Sequence, residues 1–426
     1  MFRSLRGELY CCSPSALRLV LFDPYIITFG SRLAMKNESF DTLAVHAGEN
    51  RSQHFGAVSV PVYSSSVFAF ADAGEAAAIH NEQKPGYYYG RLGNPTTEAM
   101  EKAVAELENG DQALAFASGM AAVSAAVFSM VGSGGHIVAP DSMYSTTTNF
   151  LRHIGEQFNI ETTFVDAADA ESYAAAVRPN TKIFWIETPS NPLLRITDIR
   201  RVAAIAAAAG VITIADNTFA TPFNQRPLSL GVDVVIHSAT KYLGGHSDLT
   251  AGVLVSNQEN IARIRSVATK LYGGNIAPQV AWLVLRGIKT LGLRMERHNG
   301  NAFALANMLM SQPKVVAVYY PGSASHQNHR IAAEQMKGFG GMISFDVGSA
   351  DAGRTFVNNV RLCTLATSLG GVETIVQHSA SMTHAALSPE ARAIAGVTDG
   401  LIRLSVGIEN VDDLQEDISN ALKAIT

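Results

Sequence analysis

Cysteine is scarce in this chain of 426 residues, since Cys11 and Cys12 are adjacent near the start and Cys363 stands alone. The three cysteines lack the C-x-x-C spacing typical of zinc sites, and their odd number does not suit a disulfide framework. We therefore predict a protein of the reducing cytoplasm that holds no metal.

Charge is also scarce, because Lys, Arg, Asp and Glu make up 16% of the residues and the formal net charge is −5. A nucleic-acid-binding protein would carry a basic excess, so that class is excluded. No unbroken run of eighteen apolar residues occurs, and we predict no membrane span. With 47% hydrophobic residues, the chain has the composition of a soluble globular protein with a large core.

The length exceeds what one hydrophobic core usually serves, so we predict two main domains. Residues 1–38 are predicted to be a disordered extension, because their apolar run is broken by Asp23-Pro24 and lacks a clear cleavage site. A targeting signal is the alternative for this segment. Residues 39–92 form an irregular arm in this prediction, followed by a cofactor domain over 93–285 and a C-terminal α+β domain over 286–426.

The middle of the chain alternates short β-branched runs with longer alanine-rich stretches. The predicted strands are GHIVAP, TKIFWIE, GVITIAD and VDVVIHS, and the predicted helices are AMEKAVAELENG, GMAAVSAAVFSMV and DIRRVAAIAAAAG. Such alternation predicts an α/β fold with a mostly parallel sheet, in which ligands bind at the carboxyl ends of the strands.

Polar residues follow several of these predicted strands. In FASGMAA, the segment Ser118–Met120, with Gly119 at its centre, opens a helix whose free N–H groups suit a phosphate, although a plain helix cap is the simpler alternative. Asp216 ends one strand, and Ser238, Thr240 and Lys241 follow another. Each residue alone has an ordinary structural explanation. Together they supply what pyridoxal 5′-phosphate (PLP) requires, namely a lysine, an acid for the ring nitrogen and donors for the phosphate.

The chain resembles the Cys/Met-metabolism family of PLP-dependent enzymes over residues 40 to 424. The segment around the lysine matches the attachment-site pattern of that family without a departure, at Asp233, Ser238, Thr240, Lys241, Tyr242, Gly245 and His246. The resemblance implies the fold type I architecture, with a large seven-stranded cofactor domain and a smaller C-terminal domain. It also implies a homotetramer built from two tight dimers.

The resemblance extends to further cofactor contacts. In YYYGRLGNPT, Tyr89 and Arg91 match residues that cross a subunit interface to bind the phosphate of the partner's cofactor. In DSMYS, Tyr144 matches the tyrosine that stacks on the cofactor ring, and we expect it to protonate the leaving thiol. In ETPSNP, Asn191 matches a residue near the ring O3′.

The same resemblance implies the substrate contacts. Arg403 in LIRLSVGIE matches the arginine that binds the substrate carboxylate, and Ser368 in LATSLGG lies beside the catalytic lysine. Two positions depart from related enzymes. Thr146 replaces a cysteine typical of methionine γ-lyases, and Thr367 replaces a glutamate found in many cystathionine enzymes. Both residues are predicted to lie near the substrate.

The implied substrates are sulfur amino acids or homoserine esters, and the implied catalytic residues are Lys241, Tyr144 and Asp216. Lys241 would act as the general base, while Asp216 would keep the ring nitrogen protonated. We predict a carbon–sulfur lyase of the cystathionine γ-lyase type. The alternatives are a γ-replacement enzyme (cystathionine γ-synthase or homoserine-ester sulfhydrylase), a methionine γ-lyase, an aminotransferase, or a cofactor-binding protein without turnover.

Overall fold

A computed structural model of the protein describes residues 39–383, 385, 392 and 396–426. The predicted extension over residues 1–38 lies outside this range. The predicted α/β architecture is confirmed, because the described part contains a seven-stranded, mostly parallel sheet and a smaller five-stranded sheet. Among the helices of these residues, none combines the length and apolarity that crossing a bilayer requires.

The larger sheet has the strand order β1-β7-β6-β5-β4-β2-β3. Strands β2 to β6 are mutually parallel, whereas β7 runs antiparallel to both of its neighbours. Its strands are β1 (Gln112–Phe116), β2 (His136–Pro140), β3 (Glu161–Val165), β4 (Thr181–Glu187), β5 (Ile212–Asp216), β6 (Val234–His237) and β7 (Gly252–Ser256). The four predicted strands correspond to β2, β4, β5 and β6.

Helices surround this sheet and continue into the C-terminal part. They are α1 (Phe40–His46), α2 (Ala73–His80), α3 (Pro95–Glu108), α4 (Gly119–Met130), α5 (Ser145–Phe158), α6 (Ala170–Ala175), α7 (Ile199–Ala209), α8 (Thr221–Asn224), α9 (Gln258–Ile264), α10 (Pro278–Ile288), α11 (Leu291–Met310), α12 (His329–Gln335), α13 (Ala350–Asn359) and α14 (Val411–Lys423). Short 3₁₀ turns span Arg51–His54 and Pro227–Leu230, and a π-helical segment spans Arg265–Tyr272.

The predicted helices begin and end where local chemistry favours it. In α3 the Asn94 side chain accepts the N–H groups of Thr96 and Thr97, and Pro95 occupies the first helical position. Helix α7 is capped by Asp198 and ends at Gly210, whose φ of +65° lies in the left-handed region that glycine adopts without strain. The predictions for α3, α4 and α7 are thus confirmed.

The smaller sheet lies in the C-terminal part, with the order β10-β11-β12-β9-β8. Its strands are β8 (Ala317–Tyr319), β9 (Met342–Asp346), β10 (Thr364–Leu365), β11 (Ile375–His378) and β12 (Leu401–Ser405). A core of its own joins β8, β9, β11 and β12 to α11, α13 and α14, whereas β10 is exposed. The predicted domain boundary at 285/286 falls inside α10, and α10 shares a core with α3 of the first domain.

The arm over residues 39–92 contains only short helices and carries large exposed apolar side chains. Phe55 is 99% exposed, and Val58 and Val67 are also largely exposed. Val67 forms an isolated antiparallel bridge with Tyr89, so this part of the arm folds back on itself, whereas Ala44, Ala47 and Val60 are buried in the core that α3 and α10 share.

Candidate active site

A cavity of about 380 Å³ lies at the carboxyl ends of β4, β5 and β6, next to the N-terminus of α4. Strand ends of a parallel sheet leave their side chains and backbone amides free for ligands, which explains this position. The cavity brings together most of the predicted site residues: Ser118, Gly119, Met120, Tyr144, Asn191, Asp216, Ser238, Thr240, Lys241, Thr367, Ser368 and Arg403.

The start of α4 forms a narrow cradle at one end of the cavity. Ser118 Oγ accepts the N–H of Ala121 at 3.1 Å, so the serine does cap the helix. Gly119 follows it, and a Cβ placed there would lie 2.9 Å from the Ser238 side chain. Only glycine allows this approach, which sets the first-turn N–H groups of α4 beside the Ser238 hydroxyl. Such a set of donors suits a phosphate.

Lys241 points its amine into the cavity from the loop after β6. Its Nζ donates to Ser368 Oγ at 2.5 Å. Burial, reinforced by the nearby charge of Arg403, lowers the pKa of Lys241 from 10.5 to about 8. A lysine with this pKa has a sizeable neutral fraction near neutral pH, and the neutral amine is the form that reacts with a carbonyl or takes a proton.

The loop that carries Ser368 is held close to the lysine. Ser368 has a φ of +78°, a left-handed conformation that is costly for a residue other than glycine. At Gly370, with a φ of +79°, a Cβ would lie 2.7 Å from the backbone nitrogen of Tyr242. The surrounding contacts therefore fix the Ser368 hydroxyl at the lysine amine.

Asp216, the last residue of β5, lies on the cavity floor. Its Oδ1 accepts the backbone N–H of Thr218 at 3.0 Å and the Thr218 hydroxyl at 2.5 Å. Burial raises the pKa of Asp216, while these hydrogen bonds and the charge of His237 oppose that rise. A buried carboxylate with few partners suits a cationic ring N–H, because the ion pair would relieve the cost of burial.

Glu187 is a further site residue, and no motif in the sequence had pointed to it. It ends β4, pairs in register with Asp216 and lines the cavity. Its two carboxyl oxygens accept the N–H of Tyr144 at 3.0 and 2.9 Å, and Oε1 also accepts the N–H of Asn191. Burial, followed by the charge of Asp216, raises the pKa of Glu187 to about 8. Glu187 is the last residue of the predicted strand TKIFWIE and the first of the ETPSNP segment. Its position as a polar residue at a strand end was the signal that could have identified it.

Arg403 lies buried at the opposite end of the cavity. It donates to Asn191 Oδ1 at 2.9 Å, to the Ser368 carbonyl at 2.7 Å and to Gln377 Oε1 at 3.1 Å. Its Nε is buried and finds no hydrogen-bond partner within the described residues. Burial lowers the pKa of Arg403 to about 10. A buried guanidinium with a spare donor is suited to a ligand carboxylate.

Three predicted site residues lie outside this cavity in the single chain. Arg91 donates to the carbonyls of Thr269 and Lys270 at 3.1 and 2.7 Å, beside the ring of Tyr89. Arg91 lines a separate cavity of about 420 Å³. Thr146 is exposed on α5, whereas the neighbouring Thr147 lines the main cavity. Tyr89, Arg91 and Thr146 thus do not line the main cavity of their own chain.

The donor set of the cavity fits PLP. An amine stands at Lys241, a carboxylate at Asp216 and a cradle of N–H and hydroxyl groups at Ser118, Gly119 and Ser238. The cradle exists because no side chain occupies position 119, and the carboxylate lacks a cation in direct contact among the described residues. These are the groups that the phosphate, the ring nitrogen and the aldehyde of PLP require.

Comparisons with known proteins agree with this chemistry. The family described as "Cys/Met metabolism PLP-dependent enzyme" matches residues 41–423. The chain is 48% identical over 384 residues to a cystathionine gamma-lyase of Bacillus subtilis, covering 90% of this chain and 99% of the relative. It is 44% identical over 396 residues to an L-methionine gamma-lyase of Fusobacterium nucleatum, covering 92% and 100%. A solved cystathionine gamma-lyase from Lactobacillus plantarum, complexed with L-serine, superposes with a TM-score of 0.85 at 41% identity, covering 91% and 99%.

Proposed function

Because the chain belongs to the Cys/Met-metabolism family of PLP-dependent enzymes, we propose that it is a carbon–sulfur lyase of the cystathionine γ-lyase type that acts on sulfur amino acids. The observation that carries this proposal is the pairing, in one cavity, of the low-pKa amine of Lys241 with the spare guanidinium donor of Arg403. When bound, PLP stabilises negative charge at the substrate α-carbon. The side chains around it then determine which bond breaks.

Lys241 is the proposed proton carrier. Its Nζ takes the α-proton of the substrate and, for γ-elimination, a proton from the β-carbon as well. A pKa of about 8 suits both tasks, since the amine can accept a proton and release it near neutral pH. The hydrogen bond from Nζ to Ser368 Oγ would hold the free amine inside the cavity.

The cofactor would be held at four places, namely its phosphate, its ring nitrogen, its ring face and its ring O3′. The cradle of Ser118, Gly119, Met120, Ser238 and Thr240 would bind its phosphate, and Asp216 would keep its ring nitrogen protonated. Tyr144 would stack on the ring and donate a proton to the leaving thiol, with Glu187 holding its backbone. Asn191 would lie near the ring O3′, and its amide oxygen already accepts a hydrogen bond from Arg403.

The part of the cavity that binds the substrate would discriminate only weakly between sulfur amino acids. Arg403 would bind the α-carboxylate, but Thr367 offers only a neutral hydroxyl toward a distal amino group. Neutral hydrogen bonds contribute about 0.5 to 1.5 kcal/mol each, against about 1.5 to 3 kcal/mol for bonds to charged groups. Cystathionine, homocysteine and cysteine would therefore differ in kcat/KM by no more than about a hundredfold.

A substrate panel tests the lyase proposal. Purified enzyme is offered cystathionine, homocysteine, cysteine and methionine, and keto-acid release is measured. In parallel, O-succinyl- and O-acetylhomoserine are offered with cysteine or sulfide. We expect keto acid from the first three substrates. Rapid replacement on an ester with no elimination from any thioether would identify a γ-replacement enzyme instead, whereas methionine as the preferred substrate would identify a methionine γ-lyase.

The active unit is proposed to be a dimer within a homotetramer. Tyr89 and Arg91 lie outside the main cavity of their own chain, on an arm with exposed apolar side chains. Tyr89 and Arg91 of the partner subunit would complete the phosphate site. Arg91→Ala and Lys241→Ala proteins, each inactive alone, should regain partial activity when their subunits are mixed, because one site of the mixed dimer keeps both residues. Proven exchange without rescue would place the phosphate contact within one chain.

A cytoplasmic location is also part of the proposal. Cys363 is a free, buried thiol, as expected of a protein from a reducing compartment. Fractionation of cells that express the full chain tests it, and recovery of the protein from another compartment would contradict it.

A further inference from the structure

A buried arginine of α11 lies against the turn that carries Lys241. Arg294 is 4% exposed, and its Nη1 donates to the Tyr242 carbonyl at 2.7 Å. Its Nη2 donates to the Gly287 carbonyl at 2.8 Å, and its Nε donates to the Thr290 hydroxyl at 3.1 Å. The guanidinium therefore joins the backbone next to Lys241 to the junction of α10 and α11.

The turn is shaped to receive this guanidinium. Gly245 has a φ of +73°, and a Cβ placed there would overlap Arg294 Nη1. Because three hydrogen bonds hold the guanidinium, a side chain at position 245 would displace it. The Gly245 N–H donates to the Lys241 carbonyl at 2.7 Å, so this contact belongs to the same turn. At Gly287 a Cβ would overlap the Gly244 carbonyl oxygen, so α10 also packs directly against the turn.

The same turn supports the loop that carries Ser368. Gly245, which packs against Arg294, accepts the N–H of Val372 with its carbonyl at 3.0 Å. Ser368 accepts the hydrogen bond of Lys241 Nζ. A displacement of the guanidinium would thus change the position of the lysine backbone and of the hydroxyl that holds the lysine amine.

Packing alone does not account for an arginine at this position. The Tyr242 carbonyl, the Gly287 carbonyl and the Thr290 hydroxyl are neutral acceptors, and burial lowers the pKa of Arg294 to about 10, so the side chain stays charged near neutral pH. A buried cation among neutral acceptors costs stability, which an apolar side chain of similar length would avoid. The guanidinium adds a planar fork of donors in fixed geometry, which neither methionine nor lysine offers. Such a fork is suited to holding a backbone segment in one place.

We propose that Arg294 is a positioning residue for Lys241. Its guanidinium fixes the turn from Lys241 to Gly245, so that the lysine amine stays at the Ser368 hydroxyl and within reach of the substrate protons. Arg294 does not line the main cavity, and it therefore acts through the turn rather than on a ligand. This inference rests on the proposed role of Lys241 as the proton carrier.

Hydrogen–deuterium exchange of the cofactor-free protein measures whether the turn is held. The N–H groups of Gly244 and Gly245 bond to the carbonyls of Ala239 and Lys241 at 2.9 and 2.7 Å, so a fixed turn protects them from exchange. We expect Arg294→Met to speed exchange in the turn about tenfold or more, the effect of losing a hydrogen bond from a charged donor, and to leave exchange in β7 unchanged.

Steady-state kinetics with cystathionine measures the consequence for catalysis. Arg294→Met should lower kcat by about tenfold to a hundredfold, because displacement of a reacting group by about 1 Å costs rate on that scale. KM should change by less than about threefold, since Arg403 still binds the substrate carboxylate. Arg294→Lys keeps the charge and one donor and should give intermediate values in both measurements. It also provides both readouts if the methionine variant fails to fold.

Tyr173→Phe is the matched control. Tyr173 is fully buried and donates to the Trp185 carbonyl at 3.0 Å, so this change also removes a buried donor from a backbone carbonyl. Its side chain belongs to a different core from the one that contains Tyr242. Exchange in the turn and kcat should both stay at the wild-type values.

Two results would overturn the inference while leaving the lyase proposal intact. One is an unchanged kcat in Arg294→Met. The other is faster exchange spread equally over the turn and β7, which would show a loss of general stability rather than a release of the turn. If Lys241→Ala retains turnover, the proposed role of the lysine falls, and this inference falls with it.

Discussion

Replacing Lys241 with methionine should stabilise the cofactor-free protein at neutral pH. Methionine has a similar length and no charge, so Lys241→Met removes a buried cation while keeping most of the packing. The pKa of Lys241 falls from 10.5 to about 8 on folding. Each unit of that difference corresponds to about 1.4 kcal/mol, so burial of the charged amine costs the folded state roughly 3 to 4 kcal/mol.

The sign of the pH dependence follows from the direction of this change. Below pH 8 the amine is charged in both the folded and the unfolded chain, and the full cost is present. Between pH 8 and 10.5 the folded protein loses its proton first, so the wild type gains stability as the pH rises. Above pH 10.5 both states are neutral and the cost vanishes. The advantage of Lys241→Met should therefore be largest at pH 7 and disappear toward pH 11.

Urea denaturation of both cofactor-free proteins, at one protein concentration and at several pH values from 7 to 11, measures this difference. Lys182→Met serves as the control, because Lys182 is an exposed lysine on β4. The reasoning is refuted if Lys241→Met and the wild type have equal free energies of unfolding at pH 7, or if the gap between them stays constant as the pH rises.

Further substitutions probe the carboxylate, the lysine loop and substrate choice. Asp216→Ala should lower kcat/KM by about a hundredfold or more while cofactor binding persists, as loss of a positioned charge generally does; near wild-type turnover in steady-state kinetics would contradict its role. Gly370→Ala should cost about 1 to 3 kcal/mol in denaturation because a Cβ would lie 2.7 Å from the Tyr242 nitrogen at a φ of +79°. Gly132→Ala, where a Cβ would meet nothing within 4 Å, is the control, and an equal effect of both changes would contradict this expectation. Thr367→Glu should raise the kcat/KM ratio of cystathionine to methionine, and an unchanged ratio would show that position 367 does not contact the distal amino group.

Much of the fold can be predicted from the sequence because its strands are short, apolar and bounded by turn residues. Val234–His237 and Ile212–Asp216 are buried on both faces and read as continuous apolar runs, as expected for central parallel strands. The first polar residues after such runs must lie at one edge of the sheet. For that reason the order of residues along the chain is enough to assign Asp216 and Lys241 to one cavity.

The remaining features depend on contacts between distant segments. Glu187 binds the backbone of Tyr144 and Asn191, and no local pattern signals that geometry. The buried pair of His237 and Glu108 joins residues on different elements, so spacing along the chain could not reveal it. Tyr89 and Arg91 lie outside the cavity of one chain, and the sequence alone cannot say which subunit they serve.

The environment of the Lys241 amine is completed by residues that come much later in the chain. The Ser368 hydroxyl binds Lys241, and the Ser368 carbonyl binds Arg403, whose charge helps to lower the pKa of that lysine. Both Ser368 and Arg403 are translated long after Lys241. A chain folded only as far as the first sheet would therefore lack the hydroxyl that holds the amine and the charge that adds to the effect of burial on its pKa.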